Sequence, residues 1–193
     1  MAFTKSDLCN MSLSNLGLAN VVVDVDNPTN RTETIFNQYY DLVLTKALRR
    51  ERPQFATYDD NIVPEVWADG SRHYMVPSYA LEVLRVNGFD QGWCVEHGEI
   101  MFLSGMPMNQ DGIITIKYIR KIDDIGLWTP EFFDLMAWEL AGYCAGKLTQ
   151  DVNALQLAAT ASQGARKEYQ TANLRSAKPR LKTQGMFNKV WRR

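Results

Sequence analysis

Metal centres and disulfide frameworks need residues that this chain scarcely has. Its 193 residues include three cysteines, Cys9, Cys94 and Cys144, and two histidines, His73 and His97. Three widely spaced cysteines argue against a disulfide framework and for assembly in a reducing cytoplasm. Cys94 and His97 are near neighbours, but no second Cys/His pair stands at zinc-ligand spacing, so no metal is expected. No apolar run approaches the roughly 20 residues that span a bilayer. Residues 1–7 have no apolar stretch behind a basic start, so neither a membrane anchor nor a signal peptide is expected. The glycines are dispersed, without the strand–loop–helix arrangement that cradles phosphate, and no cofactor is expected.

One more absence is local. The last nineteen residues, 175–193, contain no Asp or Glu but seven basic side chains: Arg175, Lys178, Arg180, Lys182, Lys189, Arg192 and Arg193. The whole chain has 21 basic and 22 acidic residues, which leaves residues 1–174 with 14 basic against 22 acidic. A near-neutral total therefore hides a body of charge −8 and an arm of charge +7. Such bipolarity concerns what a chain touches rather than how it folds. Pro179 and Gly185 interrupt the arm and deny it a clean amphipathic face for a membrane surface. Leu181, Met186, Phe187, Val190 and Trp191 supply apolar plugs among the cations, which a purely solvating tail would not need.

The body reads as α+β: a bundle of long helices with a small antiparallel sheet inserted. Thr4 and Asp7 form a capping-box pattern ahead of a helix over about 5–16, with Gly17 as its left-handed terminus. Residues 18–26 read as an apolar linker with a brief strand. Asn27-Pro28 suits a helix start, and Ile35, Phe36, Tyr39, Val43 and Ala47 give one buried face over 28–51. Pro53 ends that helix. Between about 72 and 120 the period changes to that of strands: Tyr74-Met75-Val76, Leu81–Val86, a hairpin of Trp93–Glu96 with residues 100–103, and a final strand around Ile114, Ile116 and Tyr118. Thr129-Pro130-Glu131 opens a helix over 130–148, and Asp151 caps an alanine-rich one over 152–174.

Candidate chemistry is thin. A nucleophilic Cys94 would need a base within hydrogen-bond reach and a third group to orient it. Nothing in the pattern supplies these for Cys94 and His97, so the plainer reading is a core cysteine and a turn histidine. Cys9 and Cys144 fall on apolar helical faces, as packing residues do. The acid pairs Asp59-Asp60, Glu96 with Glu99, and Asp123-Asp124 are the only groups that suggest a glycosidase, and solvated turns account for them as well. No catalytic residue is expected.

The order of the pieces resembles the head–tail adaptors of short-tailed bacteriophages, the tail tubular protein A type of connector. The residues concerned are Asp7-Leu8-Cys9-Asn10-Met11 through Leu16-Gly17, then Tyr39-Tyr40-Asp41-Leu42-Val43-Leu44 and Arg52-Pro53-Gln54-Phe55-Ala56. Tyr74-Met75-Val76-Pro77, Leu84-Arg85-Val86, Ile116-Lys117-Tyr118-Ile119, Trp128-Thr129-Pro130-Glu131-Phe132-Phe133 and Leu140-Ala141-Gly142-Tyr143-Cys144-Ala145 follow in the same order. Gln54 departs from the pattern, which has Trp there. The likeness spans most of residues 5–175. It implies a virion structural protein, assembled in the host cytoplasm; some members of the family have been linked to cell-wall hydrolysis, but no catalytic motif carries over to positions here. Its copies would form a ring, usually twelvefold, between the portal protein and the tail nozzle, extending the channel through which DNA passes. The arm would be the portal-docking element, carried by Lys178, Arg180, Leu181, Lys182, Phe187, Lys189, Trp191, Arg192 and Arg193. Two other functions stay open at this point: a nucleic-acid-binding module that uses the same arm, and a cell-wall hydrolase.

Overall fold

The computed structural model describes residues 3–19, 21–87, 89, 92–102, 112–149 and 151–177. It is an α+β fold with four long helices and small antiparallel sheets. Helix α1 (Lys5–Asn15) starts on the expected box: Thr4 Oγ1 accepts from the Asp7 amide at 3.2 Å and the Asp7 carboxylate accepts from the Thr4 amide at 2.9 Å. It ends in a Schellman motif, with Gly17 at φ 71° and bonds from Gly17 N to Ser14 O and from Leu18 N to Leu13 O.

Helix α2 (Arg31–Glu51) begins three residues later than the Asn27-Pro28 signal suggests. Asn27 is already committed, donating to Asp24 from its amide and its side chain at 3.2 and 2.9 Å. Asn30 caps the helix instead, and Glu33 completes the box. The Glu33 carboxylate does more than close a cap. It also accepts from the amides of Val23 and Thr29 and from the Thr29 hydroxyl at 2.7–2.9 Å, which pins residues 23–30 onto the helix start. Those amides hold the Glu33 carboxyl down at about 2. Among the described residues of 18–26 the expected brief strand is not seen. Val22 finds its backbone partner in a side chain, the Asn10 amide group, which accepts from Val22 N at 3.0 Å and donates to Val22 O at 2.8 Å. At its other end α2 turns out through Arg52, in the left-handed region at φ 47°, ahead of Pro53.

Helix α3 (Pro130–Leu148) has the expected bounds, and α4 (Val152–Ala177) runs three residues beyond the expected end. Its 26 residues measure about 39 Å at 1.5 Å per residue. The alanine surface of α4 serves an intramolecular neighbour: Ala158 packs with Ala141 and Ala145 of α3 and with Leu16. The main core lies between α1, α2 and α3 and includes Leu8, Phe36, Leu44, Leu48, Phe132 and Leu140, all without solvent exposure. No helix among the described residues is long and apolar enough to cross a membrane.

The inserted sheet has β7 (Ile114–Arg120) at its centre, antiparallel to β1 (Thr57–Ile62) on one side and to β4 (Ala80–Val86) on the other. Strand β1 lies before the expected insertion. Its Asp59, Asp60 and Asn61 conceal it in the sequence, because an edge strand tolerates polar side chains that a central one would not. Hairpin β2 (Glu65–Val66) with β3 (Arg72–His73), and hairpin β5 (Trp93–Glu96) with β6 (Glu99–Phe102), complete the region. The second hairpin turns at His97 and Gly98, φ 52° and 81°, as a two-residue primed turn requires. Tyr74-Met75-Val76 is not a named strand, but it runs beside that turn through bonds from Ile100 N to Tyr74 O and from Val76 N to Gly98 O. Ile114, Ile116 and Tyr118 face a second core with Ile62, Tyr74 and Val86, while Ile119 joins the helical core. Strand β7 thus rivets sheet to bundle.

Four charges tie the bundle together. Arg50 Nε donates to Glu51 at 2.6 Å, and its Nη2 donates to Glu139 at 3.0 Å. Arg166 Nη2 donates to the same Glu139 oxygen at 2.7 Å and its Nε lies 3.4 Å from Glu51, to which Gln170 also donates at 3.1 Å. The side chains of Glu51 and Glu139 are only 2% and 10% exposed, so neither anion has water to fall back on.

Two predictions follow the two carboxylate hubs. Glu33 has a depressed folded value, so its contribution is present above the ordinary 4.5 and is lost as pH falls toward about 2. Thermal midpoints measured from pH 7 down to 2 should fall through that window, and Glu33→Gln should start lower and flatten the descent. Glu139→Ala should cost about 2 kcal/mol in denaturant unfolding, since it removes the acceptor that Arg50 and Arg166 share and leaves both to Glu51 alone. Arg166→Met on the Glu139→Met background should cost much less than the two single changes together.

Candidate functional site

The residues expected to dock a portal, Lys178, Arg180, Leu181, Lys182, Phe187, Lys189, Trp191, Arg192 and Arg193, lie outside the described residues. The described chain stops at Ala177, the last residue of α4, with Arg175 in its final turn. What the structure does place is the chemistry-bearing residues of the body.

Cys94 and His97 sit on the same hairpin but do not meet. The Cys94 thiol points to Glu96, 3.7 Å from its carboxylate, and desolvation followed by that negative charge raises it above the usual thiol range. A raised thiol is a poor nucleophile at neutral pH. Cys9 and Cys144 are fully buried in the helical core; burial pushes Cys9 up strongly and Cys144 to about 12. All three cysteines are free.

His73 is the better connected histidine, and sequence spacing alone does not reveal it. Its Nδ1 lies 2.7 Å from Glu99 Oε1, and its Nε2 lies 2.8 Å from the Ser71 hydroxyl. The indole of Trp67 stacks on the ring at 3.7 Å between centroids and 17° between planes. Carboxylate, imidazole and hydroxyl in sequence invite comparison with a nucleophilic triad. The Ser71 proton is spent elsewhere, however. Ser71 Oγ donates to Asp69 Oδ1 at 2.5 Å, and its amide bonds the same oxygen at 2.9 Å, which together hold the Asp69 carboxyl below the usual range. Two further amides of the turn are engaged, Gly70 N with Trp67 O and Trp67 N with Ser71 O. A Ser71 hydroxyl that donates to Asp69 has no proton left to give the imidazole, as a nucleophile would need. The network is therefore a clasp that holds hairpin β2–β3 against hairpin β5–β6.

The acid pairs are similarly occupied. Asp124 accepts from Gly126 N at 2.9 Å and opens a short 3-10 turn, Asp123 lies 3.7 Å from Lys121, and Asp59 lies 3.5 Å from Lys117. Asp60 accepts from the Tyr79 hydroxyl at 3.3 Å. Glu99 belongs to the His73 clasp, and Glu96 receives Cys94. Among the described residues no three His, Cys, Asp or Glu side chains come together as a metal-binding set.

One of the concave features of the bundle is a cleft of about 370 Å³ between the start of α3 and the end of α4. Phe55 and Tyr169 form its walls, and both rings pack edge-on against the buried ring of Phe132, at 5.1 and 5.5 Å between centroids. Gln54, Thr129 and Glu131 stand at its mouth, and Ala172 and Asn173 bring the last turns of α4 to its side. Glu131 also borders an adjoining hollow with Glu168, Lys167 and Arg175. Asp134 nearby is half-buried, and its carboxyl is raised by burial first and by the charge of Glu168 second.

A third surface lies on the insertion. Val63, Val66 and Trp67 are each more than half exposed around hairpin β2–β3, and Met75, Val95 and Met101 are more than two-fifths exposed beside it. No protein-family model matches the chain, and no curated protein matches it either.

The thiols give this placement a direct check. Iodoacetamide at pH 7.5 should label Cys94 slowly and leave Cys9 and Cys144 untouched until denaturant is added, read as one site against three by intact mass. Fast labelling of two or more thiols in the native protein would contradict the burial described.

Proposed function

We propose that this chain is a non-enzymatic head–tail adaptor of a tailed-phage virion, a ring-forming link between the portal protein and the tail nozzle. The single observation that carries the reading is the joining of a rigid acidic body to a cationic, aromatic-bearing arm through one long helix. Helix α4 is clamped to α2 and α3 by Arg166 and Gln170, and residues 178–193 continue directly from its end. An arm on a fixed launching point can reach a neighbouring ring; sixteen further residues span up to about 55 Å. Multivalency around the ring would let each arm bind only modestly. A body carrying 22 acidic against 14 basic residues suits a passage through which DNA slides, because neutralisation of phosphates by Lys and Arg is what makes DNA stick. The exposed apolar residues of the insertion, Trp67 foremost, fit lateral or tail-side contacts that burial in an assembly would satisfy. The collinear adaptor-like motifs are consistent with the same role.

The test is deletion of residues 178–193, a boundary that leaves α4 whole. The truncated protein should keep its thermal midpoint and lose association with the portal of its own virion in sedimentation or particle imaging. Normal docking without the arm would remove the assignment. The six cations of residues 178–193 favour one second reading, a nucleic-acid-binding module. On that reading the full chain would bind duplex DNA with a log–log salt slope of about −5, abolished by the same deletion.

A further inference from the structure

We propose that the cleft between Phe55 and Tyr169 is the resting seat of the chain's own C-terminal arm, with Phe187 or Trp191 in the cleft and the arm's basic residues toward Glu131 at the cleft and Glu168 in the adjoining hollow, with Asp134 near Glu168. The proposal rests on the adaptor reading only for what the arm does once it leaves. Three observations lead to the seat.

The first is the chemistry of the walls. Phe55 and Tyr169 line the cleft as two aromatic walls with Ala172 beside them, and both rings rest edge-on against the buried Phe132. Trp128 braces Phe132 edge-on at 5.2 Å, so the support under both walls is part of the packed core. A cavity of about 370 Å³ with aromatic walls admits a phenyl or indole ring, which gains from edge-to-face contact beyond the area it buries.

The second is where the described chain ends. Ala172 lies on the cleft and Ala177 closes the helix, five residues or about 7.5 Å further on. Phe187 is ten residues beyond that end and Trp191 fourteen, so either ring can return with slack to spare. Closing a loop of that size adds little entropy cost relative to a shorter one.

The third is charge. Glu131, Asp134 and Glu168 form no salt bridge with a described residue, although Lys167 and Arg175 border the same hollow. Glu168 repels Asp134 in addition to the burial that already opposes its charge. Cations laid beside these carboxylates relieve that repulsion. The arm offers six beyond Arg175, and no anion. Seated this way, the arm keeps its plugs out of water, and a portal pocket releases it by competing for the same rings.

The test uses the full chain carrying Cys94→Ser, Ala172→Cys and Asn188→Cys, oxidised at micromolar concentration. An intramolecular disulfide should form about tenfold faster than in the same chain with Phe187→Ala and Trp191→Ala, the factor expected for losing one buried ring. Glu131→Lys with Glu168→Lys should slow it as well. Equal rates with and without the two aromatics would overturn the proposal. So would disulfide-linked dimers as the main product, which would place the arm on a second copy. A second measurement leaves the cleft unaltered: deleting residues 178–193 should speed amide exchange over residues 169–175 several-fold, and unchanged exchange counts against the seat. No portal is present in either experiment, so both outcomes are independent of whether the arm also binds one.

Discussion

The last turn of α2 delivers Arg50 and Glu51 to the flank of α3 and α4, and the geometry of the bundle depends on what they meet there. Glu139 comes from the middle of α3, Arg166 and Gln170 from α4, and the two carboxylates share every donor that arrives. Two anions and two cations make a cluster with no net charge, so it can be sheltered without an orphan ion. Its value is positional more than energetic. Apolar packing between α3 and α4 through Ala141, Ala145 and Ala158 would tolerate sliding by a turn, because small side chains offer few distinct notches. A bifurcated contact from two arginines to one Glu139 oxygen does not tolerate it. The cluster thereby fixes Tyr169, three residues after Arg166, opposite Phe55.

The insertion depends on a comparable but weaker constraint. Its two short hairpins, each too small to hold itself together, are joined by the contacts of His73 with Glu99 and Ser71. Trp67 lies across that junction with one face on the imidazole and the other to solvent. The same residues that a search for catalysis would select therefore serve to present an indole at the surface. The distinction comes from the fate of one proton, which Ser71 gives to Asp69.

Much of the bundle was legible because its signals are local and agree with one another. Thr4 with Asp7, Thr129-Pro130-Glu131 and the spacing of Ile35, Phe36, Tyr39 and Val43 each name a helix without help from elsewhere. The start of α2 is ambiguous in the sequence because Asn27 and Asn30 are both good caps. Only the reach of Glu33 back to residues 23–30 decides between them, and that is tertiary information. Strand β1 was hidden by its acids, whose cost on a sheet edge is small. The ionic cluster left one faint trace: Glu139 interrupts the buried face of Leu135, Met136 and Leu140, where a glutamate needs a partner. Which partner could not be read, since Arg50 and Arg166 lie 89 and 27 residues away in the chain. The cleft left no trace at all, because an empty space between Phe55 and Tyr169 has no residue to announce it.

A chain that carries both an anionic body and a cationic arm faces a problem of its own making. Complementary patches at different places on one molecule support head-to-tail association, which closes into a ring or runs on as a filament. With −8 on one part and +7 on the other, that association would proceed wherever copies met. Salt screening weakens such attraction at a distance but not once an aromatic ring is lodged in a pocket. A chain of this composition therefore gains from an intramolecular partner for its cationic residues, since such a partner outcompetes a dilute second copy by effective concentration alone. The seat proposed above, at the cleft between Phe55 and Tyr169, would supply one.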